Sequence, residues 1–298
     1  RYGILDNTII NTAEAMPTFS FTVPRVTADS LDQLCYGWFQ NVAEGATAAA
    51  FSKTFTLPVA GATQQPDFSA HGGFFFAFCE REPTASTSKV IDDCIVSSLT
   101  ISGEPSGYLS AAAECVGRGG AASTFNPSGT WTLDSARGWH YSKIATHTID
   151  FNDGNGAQAM ALRGGWEINL TQTVVPTDFK AISLRGGTAA SFGQYGLVDR
   201  GGTFTIRCQT DALTQTALTN SRAGTQVDVN FYWSENSALN PGMTDDDLSI
   251  AFTGKLTTTP VIEGDDIMTT VLTGDIVADS TAVTPITIIM TNATDRSW

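Results

Sequence analysis

The sequence predicts a mainly β protein made of two tandem β-sandwich or barrel domains, each with at most one short helix. Two observations support this fold class. Short segments in which apolar and polar residues alternate recur between turns rich in glycine and proline, which is typical of half-buried strands. In addition, landmarks of the first half return in the same order in the second half, which indicates an internal duplication.

The repeated landmarks are four short motifs, each displaced by about half of the 298 residues. They are Val23-Pro24 and Val175-Pro176, TFTL at 54–57 and TFTI at 203–206, FFFAFCE at 74–80 and VNFYWSE at 229–235, and LTISG at 99–103 and IAFTG at 250–254. The common displacement predicts a first β domain at 1–157 and a second at 158–298. Halves of this length are large enough to bury a core.

In the first half, the sequence predicts one helix and strands at 18–23, 52–57 and 73–78. The helix is predicted to begin at a Ser30 N-cap and to end at Gly45. Its apolar stripe has helical spacing and consists of Leu31, Leu34, Cys35, Trp38 and Val42.

The clearest hairpin of the sequence covers residues 98–115. Leu99 and Ile101 alternate with polar residues before a Gly- and Pro-containing turn at 103–107, and the alternation resumes at Leu109. In this register Cys94 and Cys115 lie nearly opposite each other. We expect two small buried thiols, with a cross-strand disulfide as the alternative.

In the second half, strands are predicted at 166–174, 203–208, 226–233 and 286–291. A further strand is indicated by the alternation of Leu248, Ile250 and Phe252 with polar residues, and its partner is expected to include 267–272. The counterpart of the first helix would follow Ser183. Three glycines predict that this helix is shorter or missing, namely Gly186, Gly187 and Gly193.

Composition and charge exclude several classes of protein. The net charge of −14 with only 16 Lys and Arg disfavours a nucleic-acid-binding surface, because phosphate neutralisation needs clustered cations. No apolar run approaches the roughly 18 residues that cross a bilayer, so we expect no membrane partner. The five cysteines are odd in number and form no CxxC motif. We therefore expect no disulfide scaffold, and a reducing compartment is favoured.

Residues for catalysis, metal binding or cofactor binding are scarce, so we expect no enzyme, no metal and no cofactor. A nucleophile needs a neighbouring histidine, and the chain has only His71, His140 and His147. The run at 245–247 of three aspartates lacks the glycine and the bidentate glutamate of an EF-hand and is interpreted as a turn.

Two non-catalytic features remain. The aromatic residues Phe74, Phe75, Phe76 and Phe78 exceed what a strand with one buried face needs, so they are candidates for a contact between subunits, with a wholly buried strand as the alternative. Acidic residues gather at predicted hairpin tips, and these are Glu263, Asp265, Asp266 and Asp275. Either they are simply solvated, or they line a channel for a polyanion and keep it from sticking.

The order of elements resembles that of a known family. A β-sandwich with one short helix, a strand-turn-strand at 98–111, an acidic balance and a strand near the C-terminus together resemble the tail tube proteins (major tail proteins) of long-tailed bacteriophages. The duplication is similar to one branch of that family, in which each chain carries two tube domains in tandem.

The resemblance implies a structural function. Three chains would close a pseudo-hexameric ring, rings would stack into a hollow tube joined laterally by strand pairing, and genome DNA would pass through it without sequence-specific binding. The implied partners are further copies of the chain and other tail proteins at the tube ends. The implied location is the virion tail, after assembly in the cytoplasm of the bacterial host.

A carbohydrate-binding or adhesive β-sandwich is the alternative. Such a protein would use exposed aromatic rings as a stacking platform, and the candidates are Trp131, Trp139, Tyr141 and Trp233. A β-sandwich hydrolase with paired carboxylates is a third class, for which the sequence nominates no pair.

Overall fold

A computed structural model describes residues 18–40, 42–47, 50–57, 78–81, 88–92, 94–117, 119–123, 138–140, 144–152, 155–176, 195–223, 226–234, 247–257, 261–263, 269–277 and 284–292. These residues form 17 strands and two helices. The strands are β1 (Thr18–Val23), β2 (Val42–Thr47), β3 (Ala50–Thr56), β4 (Phe78–Arg81), β5 (Ser88–Asp92), β6 (Ile95–Gly103), β7 (Leu109–Val116), β8 (Gly119–Ser123), β9 (Ile144–Asp150), β10 (Gln158–Ala159), β11 (Leu162–Pro176), β12 (Tyr195–Gln209), β13 (Gln226–Ser234), β14 (Asp247–Leu256), β15 (Val261–Glu263), β16 (Thr269–Ile276) and β17 (Ile286–Asn292). The helices are α1 (Ala28–Phe39) and α2 (Ala212–Ala223).

Most strands belong to one antiparallel sheet of 14 strands. Its first part runs in the order β1-β7-β6-β11-β12-β16, with β15 beside β16. The end of β16 pairs with the end of β14, and there the second part begins. On one side β14 is followed by β13, β9 and β10, and on the other by β17, β3 and β2. The strands β4, β5 and β8 form a separate sheet.

The two parts of the large sheet face each other across the core. The ring of Trp166 on β11 stacks on that of Phe231 on β13, with 4.8 Å between the ring centroids. Phe204 on β12 and Phe252 on β14 are 5.1 Å apart. The buried apolar side chains of both parts belong to one hydrophobic cluster, so the arrangement is sandwich-like.

Two glycines allow the sheet to turn where its parts meet. A Cβ at Gly274 would come within 2.7 Å of the Phe204 ring, and a Cβ at Gly254 would meet the same ring. The missing side chains therefore let Phe204 lie directly on the backbone of this corner.

Helix α1 lies against β6, β3 and β17. The predicted stripe is confirmed for Leu31, Leu34, Cys35 and Trp38, which are all buried. The predicted ends are wrong. Thr27 is the N-cap and Ser30 is the third helical residue, and they form a reciprocal capping box in which Thr27 N donates to Ser30 Oγ (2.9 Å) and Ser30 N donates to Thr27 Oγ1 (3.4 Å).

The C-terminus of α1 comes earlier than predicted. The helix ends at Phe39. Gln40 adopts a left-handed conformation with φ 58°, and its backbone N–H donates to the carbonyl of Tyr36. Val42 and Gly45 belong to β2. The left-handed cap, which any residue tolerating positive φ can supply, stopped the helix before the glycine was reached.

Helix α2 was not predicted. Its cap is an Asp211 to Thr214 pair in which Thr214 N donates to Asp211 Oδ1 (3.1 Å) and Asp211 N donates to Thr214 Oγ1 (2.8 Å). Of the side chains of α2 that the structure describes, the buried ones are Leu213, Thr214 and Ala217, so the apolar stripe that would indicate a helix is short. The weaker helix expected after Ser183 lies outside the described residues.

The predicted strands largely coincide with observed ones. Those at 18–23, 226–233 and 286–291 correspond to β1, β13 and β17, those at 166–174 and 203–208 lie within β11 and β12, and that at 52–57 overlaps β3. The strand expected at 73–78 lies outside the described residues except for Phe78, which begins β4.

The partner expected for the strand at 248–253 is wrong. Residues 247–252 pair with β17 on one side and with β13 on the other. Only the end of β14 meets β16, where 254–256 pair with 274–276. The sequence gives no local signal for these pairings, because the partners are set by packing of the whole sheet.

The hairpin at 98–115 is confirmed as β6 and β7. Cys94 and Cys115 are both buried and form no disulfide, as expected. The register places Val96 opposite Cys115 and Ile95 opposite Val116.

The mainly β class is confirmed. Strands from before and after residue 157 pair with each other within the sheet, β6 with β11 and β3 with β17. The internal duplication, with its boundary between 157 and 158, stays a prediction.

Candidate self-association surfaces

The outer edge of β1 is the first candidate surface. Among the strands that the structure describes, β1 pairs only with β7. Its sequence TFSFTV contains no charge, no proline and no glycine, and Thr18, Ser20 and Thr22 are exposed. Edge strands are usually protected by charges, prolines or bulges, since they otherwise pair with another chain. This edge has none of these protections.

The second candidate is an extension of the hairpin formed by β11 and β12, called here the arm. Its pairs run from Thr173 opposite Val198 to Pro176 opposite Tyr195. The pairing of β11 with β6 stops at Thr171, and that of β12 with β16 stops at Gly202. The arm therefore continues past the last residues that pair with the neighbouring strands. Val175 on it is 39% exposed, one of only two exposed large apolar residues in the described part of the chain.

The third candidate is the outer face of β9, β13, β14 and β17, called here the acidic face. Its alternate residues are polar, and they surround a depression of about 350 Å³ lined by Thr148, Asp150, Asp228, Asn230, Thr253 and Thr287. Asp150 and Asp228 are directly opposite each other in the strand register. Like charges directly opposite each other in a sheet cost stability.

Hydrogen bonds fix the carboxylates of the acidic face. Thr253 Oγ1 donates to Asp228 Oδ1 (2.7 Å), and Asn152 N donates to Asp150 Oδ1 (2.8 Å). Tyr232 donates its hydroxyl proton to Asp247 Oδ2 (2.9 Å). This face was not predicted from the sequence, although the alternation of Asp228, Asn230 and Tyr232 with buried residues was the available signal.

The acidic residues predicted to line a channel are only partly described. Asp275 is exposed on β16, opposite Thr203 and Lys255 in the two strand registers. Glu263 is the last residue of β15, with only its backbone described. Asp265 and Asp266 lie outside the described residues. Their role at a channel stays a prediction.

The aromatic residues proposed for a subunit contact are also largely outside the described residues. This holds for Phe74, Phe75 and Phe76. Phe78 begins β4, which pairs with β5, and only its backbone is described. The inter-subunit role of these residues stays a prediction.

The aromatic platform expected for a carbohydrate-binding protein is wrong at two positions. Trp139 is 1% exposed and Trp233 is 0% exposed, so neither ring can stack on a sugar. Both pack in the core, because a large aromatic side chain gains more from burial than from a partly wet surface. Trp131 and Tyr141 lie outside the described residues.

In the described part of the chain no group of three or more His, Cys, Asp and Glu is arranged to hold a metal ion. The rings of Tyr108 and His140 meet edge to face, with 5.0 Å between their centroids. The Arg25 guanidinium lies over the Tyr108 ring, 4.8 Å from the ring centroid. His147 lies on β9, where burial lowers its pKa and a hydrogen bond with the Met160 backbone opposes that shift.

The thiols of Cys115 and Cys208 are poor nucleophiles. Burial, with a smaller contribution from neighbouring charges, raises the pKa of Cys115 and of Cys208 to about 12. Both therefore remain protonated at neutral pH, and a protonated thiol does not attack.

No helix among the described residues is both long enough and apolar enough to cross a membrane. No protein-family model matches the sequence, and no curated protein matches it.

Proposed function

We propose that the chain is a tail tube protein of the tandem-duplicated type, which assembles with copies of itself into the hollow tail tube of a long-tailed bacteriophage. In this proposal each chain contributes two tube domains, three chains close a pseudo-hexameric ring, and stacked rings carry genome DNA at ejection. The protein is not an enzyme. It acts in the virion tail after assembly in the host cytoplasm, with other tail proteins at the tube ends.

The observation that carries the proposal is the unprotected edge of β1. A strand of six residues without charge, proline or glycine, paired on one side only among the described strands, is an interface for a further strand. Closure of a ring of identical chains would pair such edges and leave none exposed.

The arm and the acidic face support the same proposal. The arm continues past the last pairs with the strands beside it and exposes Val175, which suits a contact with a neighbouring ring. The acidic face presents threonine hydroxyls, amides and carboxylates, and a polyanion passing such a surface is repelled rather than bound.

Sedimentation velocity over a range of protein concentrations tests the role of the β1 edge. The variant Ser20→Lys/Thr22→Lys adds two charges to that edge. We expect wild-type protein to associate with rising concentration and the variant to require about tenfold more protein, equivalent to roughly 1.4 kcal/mol.

The matched control is Thr171→Lys/Thr203→Lys. These threonines are also exposed, but their strands are paired on both sides, Thr171 with Ser98 and Gly201 and Thr203 with Asn169 and Asp275. Equal loss of association in both variants would refute the role of the edge. A wild-type protein that remains monomeric at every concentration would refute self-assembly.

A further inference from the structure

The C-terminus of helix α1 lacks a cation of its own. The carbonyls at the end of a helix carry partial negative charge and are stabilised by a cation or a hydrogen-bond donor. The last turn of α1 contains no basic residue. A residue from a distant strand supplies the charge instead.

That residue is Arg200 on β12. Its Nη2 donates to the carbonyl oxygens of Trp38 and Phe39, the latter at 3.1 Å. Its guanidinium also lies over the Trp38 ring, 5.0 Å from the centroid. Arg200 therefore contacts both the backbone and the side chain of the last turn of α1.

Gln172 on β11 joins the same group. Its Nε2 donates to the Trp38 carbonyl at 3.2 Å and to the Val96 carbonyl on β6. Gln172 is only 5% exposed. The side chains of both strands of one hairpin thus converge on one carbonyl of α1.

The backbone explains why they converge. The register of β11 and β12 shifts between Thr171 and Thr173, so that Gln172 faces two residues, Asp199 and Arg200. Asp199 has a positive φ of 53°. Two residues opposite one is a β-bulge, and a bulge redirects the side chains beside it. This bulge lies where the arm begins.

Because Arg200 is charged, loss of its hydrogen bonds to the last turn of α1 would cost free energy. Burial lowers its pKa to about 10, so it remains protonated at neutral pH. A buried guanidinium that loses its acceptors keeps its desolvation cost without compensation. The bulge is therefore held against α1 as long as the sheet is folded.

We propose that Arg200 is a positioning residue that couples the arm to the last turn of helix α1, so that the two order and loosen together. Gln172 assists it from the opposite strand. The consequence for assembly rests on the proposed function, because an arm held in one direction is ready to contact a second copy. The coupling itself is a property of the single chain.

Hydrogen exchange read by mass spectrometry on the full-length chain, at a concentration where it is monomeric, tests the coupling. We expect Arg200→Met to accelerate amide exchange at least tenfold in peptides covering 36–40 and in those covering 173–176 and 195–198. Peptides of β13 and β14 should exchange as in wild type. Arg200→Lys keeps a donor and a charge and should restore part of the protection.

The control is Arg163→Met, on the same hairpin at the end away from the arm. Arg163 is exposed and donates from Nε (3.1 Å) and Nη2 (2.9 Å) to Gln209 Oε1. We expect it to leave exchange at 36–40 and in the arm unchanged.

The proposal is overturned if Arg200→Met loosens only the helix or only the arm, or if Arg163→Met has the same effect. Should Arg200→Met fail to fold, amide exchange at 36–40 and in the arm is measured in Arg200→Lys and Gln172→Leu instead. Exchange at the wild-type rate in both of these variants overturns the proposed coupling. Absence of wild-type rings refutes the proposed function without touching this result.

Discussion

An ion pair between two largely buried side chains joins helix α1 to the sheet. Asp32 on α1 is paired with Lys53 on β3 at 2.7 Å, and both side chains are almost fully buried. Burial raises the pKa of Asp32, although the hydrogen bond and the charge of Lys53 oppose that shift. The pair ties the helix to the second part of the sheet. Its net contribution to stability is small, since desolvation offsets the attraction.

The residues that sequence reasoning placed well were those with a local pattern. Leu31, Leu34, Cys35 and Trp38 followed helical spacing, and all are buried. Arg200 and Gln172 could not be found in this way, because the carbonyls they contact lie 76 to 162 residues away from them in the chain. Trp139 and Trp233 were also ambiguous, since an aromatic residue carries no local sign of which face it occupies.

The pH dependence of stability should report on His147. Burial lowers its pKa below the ordinary value of 6.5, so the folded state prefers the neutral ring. Its contribution is therefore fully present above about pH 6.5 and is lost as the pH falls through the lowered pKa, where the unfolded chain binds the proton more readily.

Urea unfolding at pH 7.5 and at pH 5.5 measures this effect. We expect the wild-type protein to lose more free energy of unfolding between these pH values than His147→Gln does. An equal loss in both proteins would show that His147 does not contribute to the pH dependence.

At the scale of secondary-structure elements, the corner between the two parts of the sheet is the most constrained place. Gly254 and Gly274 lie under the Phe204 ring, so a side chain at either position must displace it. Gly201 on β12 has nothing within 4 Å of its Cβ position and provides a comparison within the same sheet.

We therefore expect Gly254→Ala to lower the free energy of unfolding by about 1–3 kcal/mol through overpacking. Gly201→Ala should change it little, and Phe204→Leu combined with Gly254→Ala should recover part of the loss. Chemical denaturation of the three variants measures this. Equal effects at Gly254 and Gly201 would contradict the proposed close packing of the corner.

Pairings between strands that are adjacent in the chain could be predicted from the sequence, whereas pairings between distant strands could not. The β6 and β7 hairpin was predicted because its two strands and its turn are adjacent in the chain. The pairing of β14 with β17, and of β17 with β3, joins segments that are far apart, and no local pattern encodes such partners. Helix α2 was missed because three of its residues are threonines, which are weak helix formers, and only the capping pair of Asp211 and Thr214 marks its start.

At the scale of the whole molecule, the net charge of −14 bears on passage of a polyanion. A phage whose tail protein carries Glu263→Lys, Asp265→Lys and Asp266→Lys should still form tails. It should release its DNA less efficiently, because cations in the channel bind phosphates. Tail morphology and plaque-forming titre measure the two effects separately.

The control carries Glu104→Lys, Glu114→Lys and Glu167→Lys, three exposed positions that change the net charge by the same amount. Its titre should fall less. An unchanged titre in the first variant, or a larger loss in the control, would exclude 263–266 from the channel wall.

The central claim is that this chain forms a hollow tube from copies of itself. Negative-stain electron microscopy of the purified protein, dilute and concentrated, tests it most directly. We predict hollow tubes built of stacked threefold or pseudo-sixfold rings in the concentrated sample. Uniform particles of monomer size at every concentration would contradict the claim.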